Sequence, residues 1–201
     1  MRATCYTGDM AVYTESGVKL TYKEFRHFPD DGRRHEIIDG VHYVSPSPSN
    51  VHQSVSRWLQ QQLMAQIEAV GTGIVVDAPM DVELTETNIV EPDLVVVATS
   101  RMEIVIESRV LGVPDLLVEI LSPSNPKHDT ELKLKLYEQV QVPEYWIVNP
   151  EAEELCCYRL GPEGYEEPSS HSNTIHYTRL EMKADVDLSL VWTKARMFRG
   201  R

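Results

Sequence analysis

Cysteine is scarce: the chain has three in 201 residues, with Cys156 and Cys157 adjacent and Cys5 remote. Disulfide frameworks and structural zinc sites need paired spacings, so neither fits. Long apolar runs are missing as well. The longest, Asp93 to Ala98 and Asp115 to Leu121, fall far short of the roughly 20 residues that cross a bilayer. Met1 to Asp9 has no apolar stretch of the signal-peptide kind, and the expectation is a cytoplasmic protein without a membrane partner. Positive charge is the minority sign. Nineteen Lys+Arg against 31 Asp+Glu give a formal charge of −12, which on average repels phosphate backbones and argues against a general nucleic-acid coat protein. It does not exclude an enzyme acting on nucleic acid, which gathers carboxylates around a metal and keeps a local basic rim. Lys23, Arg26, Arg33 and Arg34 are the candidates for such a rim.

There is no internal repeat, low-complexity tract or dividing linker, so one domain over residues 1–201 is expected. With 42% hydrophobic and 25% charged residues, the chain has the balance of a globular fold with a proper core. Thr21-Tyr-Lys-Glu24 has the form of a capping box and Pro29 to Gly32 forms a stop, which together predict a short N-terminal helix. Arg34 to Ile38 and Val41 to Val44 flank Asp39-Gly40, a hairpin signal because both central residues of a type I′ turn need positive φ. From Asn50 to Val70 apolar residues recur at steps of three and four, with Ser49 or Asn50 as N-cap and Gly71 as C-cap. Strands are expected at Gly73 to Val76, Asp81 to Leu84, Asp93 to Ala98 and Asp115 to Leu121, the last two apolar on both faces and therefore central. A second helix, Asp129 to Val140, leads to a core strand at Glu144 to Val148. Leu155 to Tyr158 and Ile175 to Val191 read as short strands and turns. The order describes an α/β layer structure with a mixed sheet.

Two carboxylates stand out of place in the two most apolar strands: Asp93, and Glu119 inside Leu117-Val-Glu-Ile-Leu121. Burying an unpartnered carboxylate costs several kcal/mol, so each needs a cation, a donor cluster or a metal. Taken singly, Asp93 could cap a turn and Glu119 could pair with a lysine or arginine. Taken together in antiparallel strands, they become neighbours at one end of the sheet and form a minimal Mg²⁺ or Mn²⁺ site. On the following helix, Lys133 falls on the inward shoulder of the Leu132–Leu136–Val140 stripe, where it can face the acids or snorkel to the surface, while Lys135 falls toward solvent. Glu36 is either a third acid of the site or an exposed strand residue. His52 opens the long helix and reads as a packed or capping histidine rather than a base. Ser122, Ser124, His128 and Asp129 suggest a triad, but no Gly-x-Ser-x-Gly elbow is present and a Ser/Pro-rich turn accounts for them better.

The run Pro114 to Asn125, then Asp129-x-x-x-Lys133-x-x-x-Tyr137, then Val142 to Pro150, resembles the Uma-two family of restriction-endonuclease-like proteins. His35 to Gly40, His52-Gln53 and Glu91-Pro-Asp-Leu-Val95 resemble it too, in the same order. The likeness covers Thr21 to Pro150. It implies a restriction-endonuclease-like α/β core of the PD-(D/E)xK type, a mixed sheet flanked by helices, here with an N-terminal helix and hairpin and a C-terminal β extension. It further implies Mg²⁺-dependent hydrolysis of phosphodiester bonds, with Asp93 and Glu119 as metal-binding acids. The leading reading of the residues and the resemblance together is a nuclease that uses Mg²⁺ or Mn²⁺ on DNA, with Glu36 assisting and a homodimer allowed. The lysine of the E-x-K element belongs two residues after Glu119, and that position is Leu121. Lys133 on the next helix is the candidate replacement. Gln141 and Asn149 replace a usual glycine and aspartate outside the presumed metal site. The competing readings are a non-catalytic binding or dimerisation module of the same fold and a hydrolase of small phosphoesters.

Overall fold

The computed structural model describes residues 10–12, 18–122 and 127–199; Cys5 and Ser124, weighed above, lie outside them. The chain runs β1 (Met10–Val12), α1 (Tyr22–Phe25), β2 (Arg34–Ile38), β3 (Val41–Ser45), α2 (Asn50–Leu63), β4 (Gly73–Asp77), β5 (Val82–Thr85), β6 (Asn88–Val90) and β7 (Leu94–Ala98). It continues through β8 (Val105–Ile106), β9 (Arg109–Leu111), β10 (Leu116–Ile120), α3 (Leu134–Gln139), β11 (Glu144–Asn149), β12 (Glu154–Gly161), β13 (Gly164–Tyr165), β14 (Ser169–His171), β15 (Thr174–Arg179), β16 (Met182–Asp187) and α4 (Leu188–Arg196).

The expected local signals are realised. Thr21 accepts from the Lys23 amide while Glu24 accepts from the Thr21 amide at 3.0 Å, closing the capping box of α1. Asp39 and Gly40 take φ of 51° and 78° between β2 and β3, as a type I′ turn demands. Ser49 caps α2 by accepting from the His52 amide. That helix continues into a π-helical turn over Met64–Glu68 and ends at Gly71, whose φ is 78°.

The strands form two larger sheets, in the orders β1-β3-β2-β6-β5-β9-β8 and β13-β12-β11-β10-β7-β4, with β14 on β12 and β15–β16 as a separate hairpin. Both sheets are mixed: β10–β11 and β5–β9 run parallel and the other pairs antiparallel. The second sheet is sandwiched, which is why β7 and β10 are buried at all five positions. Leu94, Val96, Leu116, Val118 and Ile120 pack against the α2, α4 and β15–β16 layer. Val95, Val97 and Leu117 face the other way, onto Leu136 and Tyr137 and the first sheet. Within the helical layer Leu59, Leu63 and Ile67 are fully buried, each worth about 1.5–3 kcal/mol at most.

The C-terminal stretch differs from expectation. It does not stay β to the end but closes with α4, whose N-cap is Asp187 and whose buried face is Leu188, Val191, Trp192 and Ala195. Those positions recur at steps of three and four; a reading of Ile175 to Val191 as one unit of strands and turns cuts the periodicity in half. Among the described residues no helix is long and apolar enough to cross a membrane.

Candidate active site

β7 and β10 are adjacent and antiparallel, with Val118 opposite Leu94 as the last paired residues. One step further along this register Asp93 comes level with Glu119. By strand alternation both side chains leave on the side opposite Leu94 and Val118, toward the first sheet and the helical segment before β11. They line a cavity of about 60 Å³ together with Arg34, Glu36, His52 and Lys133. Four separate parts of the fold therefore deliver the site: β2, the start of α2, the β7–β10 end, and the helix that crosses from β10 to β11.

Asp93 is 3% exposed. Its Oδ1 accepts from Arg34 Nη2 at 2.9 Å, and its Oδ2 accepts from the Ile120 amide at 2.7 Å and lies 3.1 Å from His52 Nε2. Burial alone would raise its pKa. The Arg34 charge, the His52 contact and the Ile120 amide outweigh burial and hold it well below the usual carboxylate range. Arg34 also binds Glu91 Oε1 at 3.2 Å. Burial would lower its pKa, but the surrounding acids raise it. The basic rim expected from sequence thus loses Arg34, which turns inward as a half-buried counter-ion, while Lys23, Arg26 and Arg33 remain exposed.

Glu119 behaves in the opposite way. Oε1 accepts from Lys133 Nζ at 2.8 Å and from the Tyr137 hydroxyl at 2.8 Å. Even so, burial, with Asp129, Asp93 and Glu36 close by, pushes its pKa up to about 8 against the pull of Lys133. Glu36 is 1% exposed, so it is not a surface strand residue. Its Oε1 accepts from the Glu91 amide at 2.9 Å and lies 2.8 Å from Lys133 Nζ. Burial works to raise Glu36, but Lys133, His128 and Arg34 bring it below its ordinary value.

Lys133 sits on a π-helical turn, His128–Lys133, that leads into α3. It is 1% exposed, its Nζ equidistant from Glu119 and Glu36 and 3.7 Å from Asp129 Oδ1, whereas Lys135 is exposed. Burial would strip its charge; the three acids hold it protonated, with a raised pKa. The wider turn shifts the phase of the helix, so that Lys133, Leu136 and Tyr137 face inward and Leu132 is only half-buried.

Ser122, His128 and Asp129 do line the cavity, but as neighbours of the acid–lysine cluster. His128 Nδ1 stands 3.5 Å from Asp129 Oδ1 and its ring contacts Tyr43. Two residues named in the sequence analysis carry no role at the acids there. Tyr137 is i+4 from Lys133, a spacing that puts the two on one face. Arg34 carries no local signal, because its partner Asp93 is 59 residues away.

Among the described residues no three His, Cys, Asp or Glu side chains are arranged as a ready metal site. The donor chemistry nonetheless fits a hard dication, since Mg²⁺ takes one or two carboxylates and keeps several waters. Four acids (Glu36, Asp93, Glu119, Asp129) line the cavity with two cations (Arg34, Lys133), so carboxylates outnumber the positive side chains there.

The chain belongs to the Uma2 family, described as "Putative restriction endonuclease", which matches residues 22–186. A similar solved structure is titled as a "putative nuclease belonging to DUF820" from Anabaena variabilis ATCC 29413. It is 16% identical, with a TM-score of 0.67, covering 88% of this chain and 99% of that one. At that identity the likeness concerns the fold. No curated protein matches.

Proposed function

We propose that this protein is a nuclease that hydrolyses DNA phosphodiester bonds with Mg²⁺ or Mn²⁺, held by Asp93 and Glu119. The observation that carries the reading is the position of Lys133: a lysine absent from the strand arrives from the next helix with its ammonium 2.8 Å from Glu119 and beside the cavity that Asp93 lines. Membership of the Uma2 family points the same way.

A bound dication supplies an activated water and a positive charge facing the phosphoryl oxygens. The chain's own groups do the rest. Arg34, His52 and the Ile120 amide keep Asp93 ionised and fixed in direction. Glu36 holds Lys133 charged, and Lys133 orients the attacking water or stabilises negative charge building on the phosphate. A dication held there would favour the ionised form of Glu119 against the burial and the neighbouring acids that raise its pKa.

The ion pairs favour one other reading, in which Arg34 and Lys133 neutralise the acids permanently and the fold serves as a non-catalytic binding module. Calorimetric titration with Mg²⁺ and Mn²⁺, alongside cleavage of plasmid and single-stranded DNA, separates the two. The nuclease reading expects metal binding that Glu119→Gln abolishes and cleavage that needs the metal. A wild type that binds no dication and cuts nothing establishes the module.

A further inference from the structure

In a chain with 31 acids over 201 residues, no Asp or Glu occurs between Asp39 and Glu68. That acid-free stretch contains all of α2. The apolar stripe of the helix is spent on the core, and two glutamines, Gln62 of α2 and Gln66 of the π-helical turn after it, are spent on β16, bonding the backbone of Asp187 and Asp185. A second polar set remains. Gln53, Ser56, Arg57 and Gln60 recur at i, i+3, i+4 and i+7, which places them on one face. Among the described residues, Arg57 has no ion pair and the side chains of Gln53, Ser56 and Gln60 have no hydrogen bond.

This face lines a cavity of about 280 Å³ together with Arg34, His52 and Asp93, which also line the candidate active site, and with the exposed Asp77. Four uncommitted hydrogen-bonding side chains on an acid-free stretch of an otherwise acidic chain, beside a phosphodiester-cleaving centre, match one ligand chemistry. We infer that the Gln53–Ser56–Arg57–Gln60 face of α2 is the track on which the DNA sugar–phosphate backbone lies as it enters the site. The inference rests on the nuclease reading for its substrate class and names where that substrate is held. Three of the four groups are neutral donors, so grip comes from hydrogen bonds to phosphate oxygens, with one charge contact at Arg57.

The test is fluorescence anisotropy of end-labelled duplex and single-stranded DNA with the full chain, in Ca²⁺ and in EDTA, beside a cleavage assay in Mg²⁺. The triple variant Gln53→Glu/Arg57→Glu/Gln60→Glu is expected to weaken binding at least tenfold. Lys183→Glu, which makes the same charge change as Arg57→Glu at an exposed position on β16, is expected to leave binding within twofold. Arg57→Gln, a mild change that tests the same contact if the triple variant folds poorly, is expected to flatten log K against log salt by about 0.9 on duplex or about 0.7 on single strands. Unchanged affinity in the triple variant, or an equal loss in Lys183→Glu, overturns the track. Loss of binding in the α2 variants of a protein that cuts nothing supports the track and removes the hydrolysis. Cleavage with α2 variants binding normally does the reverse, and a wild type that binds no DNA overturns both.

Discussion

Asp93 and Glu119 stand level across the antiparallel pair of β7 and β10 and share one cavity, yet their environments drive them in opposite directions. Asp93 is pressed below the usual carboxylate range by Arg34, His52 and a backbone amide despite its burial. Glu119 is lifted to about 8 by burial and by the acids around it. Divergent titration of two neighbouring carboxyl groups divides their roles before any ligand arrives: one is a permanent anion, the other a proton store.

That division predicts a pH dependence of stability. Glu119 ordinarily titrates at 4.5 and here at about 8, so between those values the unfolded chain releases a proton that the folded chain keeps. Stability must fall as pH rises through this window. Asp93 acts at the other end, its contribution being present above its ordinary 3.8 and lost as pH falls toward its folded value. Thermal denaturation in EDTA should give a lower Tm at pH 8.5 than at pH 5.5. Glu119→Gln, which mimics the protonated form, should narrow that gap. Glu91 and Asp81 are also raised, mainly by burial, so the Glu119→Gln difference is the quantity to read; an unchanged gap rejects the assignment.

Metal binding should release protons. Titration of Mg²⁺ at pH 7 in buffers of different ionisation enthalpy is expected to show close to one proton released per ion, with apparent affinity rising toward pH 8.5. Tyr137→Phe removes a donor to Glu119 Oε1 and should weaken the metal severalfold at pH 7. Proton release of zero would mean that Glu119 is already ionised.

The two lysines should separate cleanly. Lys133→Met is expected to lower the cleavage rate by about 10²–10³, in the range of losing one pre-organised electrostatic contact, with Mg²⁺ still bound. Lys135→Met, at an exposed position, should stay within twofold of wild type. Because Lys133 is the buried counter-charge of Glu36, its loss should also cost stability, about 3–5 kcal/mol as for breaking a buried pair. Single-turnover cleavage at a temperature where both variants are folded is the relevant measurement.

Gly40→Ala tests the hairpin that presents Arg34 and Glu36. At Gly40 the backbone has φ of 78°, and an added Cβ would meet Lys19 at 2.5 Å from its Cβ and 2.8 Å from its Cα. Left-handed backbone and a clash against main chain should together cost roughly 1–3 kcal/mol or more. Chemical denaturation should show a lower midpoint. Gly32→Ala, where the space is open but φ is 73°, should cost less.

Sequence was most legible where the physics is local. The capping box at Thr21, the Asp39-Gly40 turn and the apolar stripe of α2 each involve residues within one turn of one another, and each stands in the fold as expected. The residues of the two apolar strands do not dictate that those carrying Asp93 and Glu119 pair antiparallel; that pairing is a condition of the shared site, and the register meets it. Arg34 and His52 could not be placed because their common partner, Asp93, is brought to them only by packing between layers. The phase of Lys133 was nearly right for an incomplete reason: an ideal helix put it on a shoulder, and the π turn carried it the rest of the way inward. Helix α4 has its local signal, Asp187 before Leu188, Val191, Trp192 and Ala195, but its first turn lies within Ile175 to Val191, whose strand pattern masks it.

Housing the lysine on a helix instead of the strand has a consequence for insertions and deletions. On a strand, removing one residue flips a side chain across the sheet and exposes core. In the wide His128–Lys133 turn a deleted residue is taken up by tightening toward α geometry, at about 100° per residue, which re-aims Lys133 relative to Glu36 and Glu119 while β7 and β10 keep their register. The two strand-end acids, Asp93 and Glu119, and the cation beside them are thus separately editable: a frame-preserving loss of one codon in this turn alters the site of a chain whose sheet is untouched.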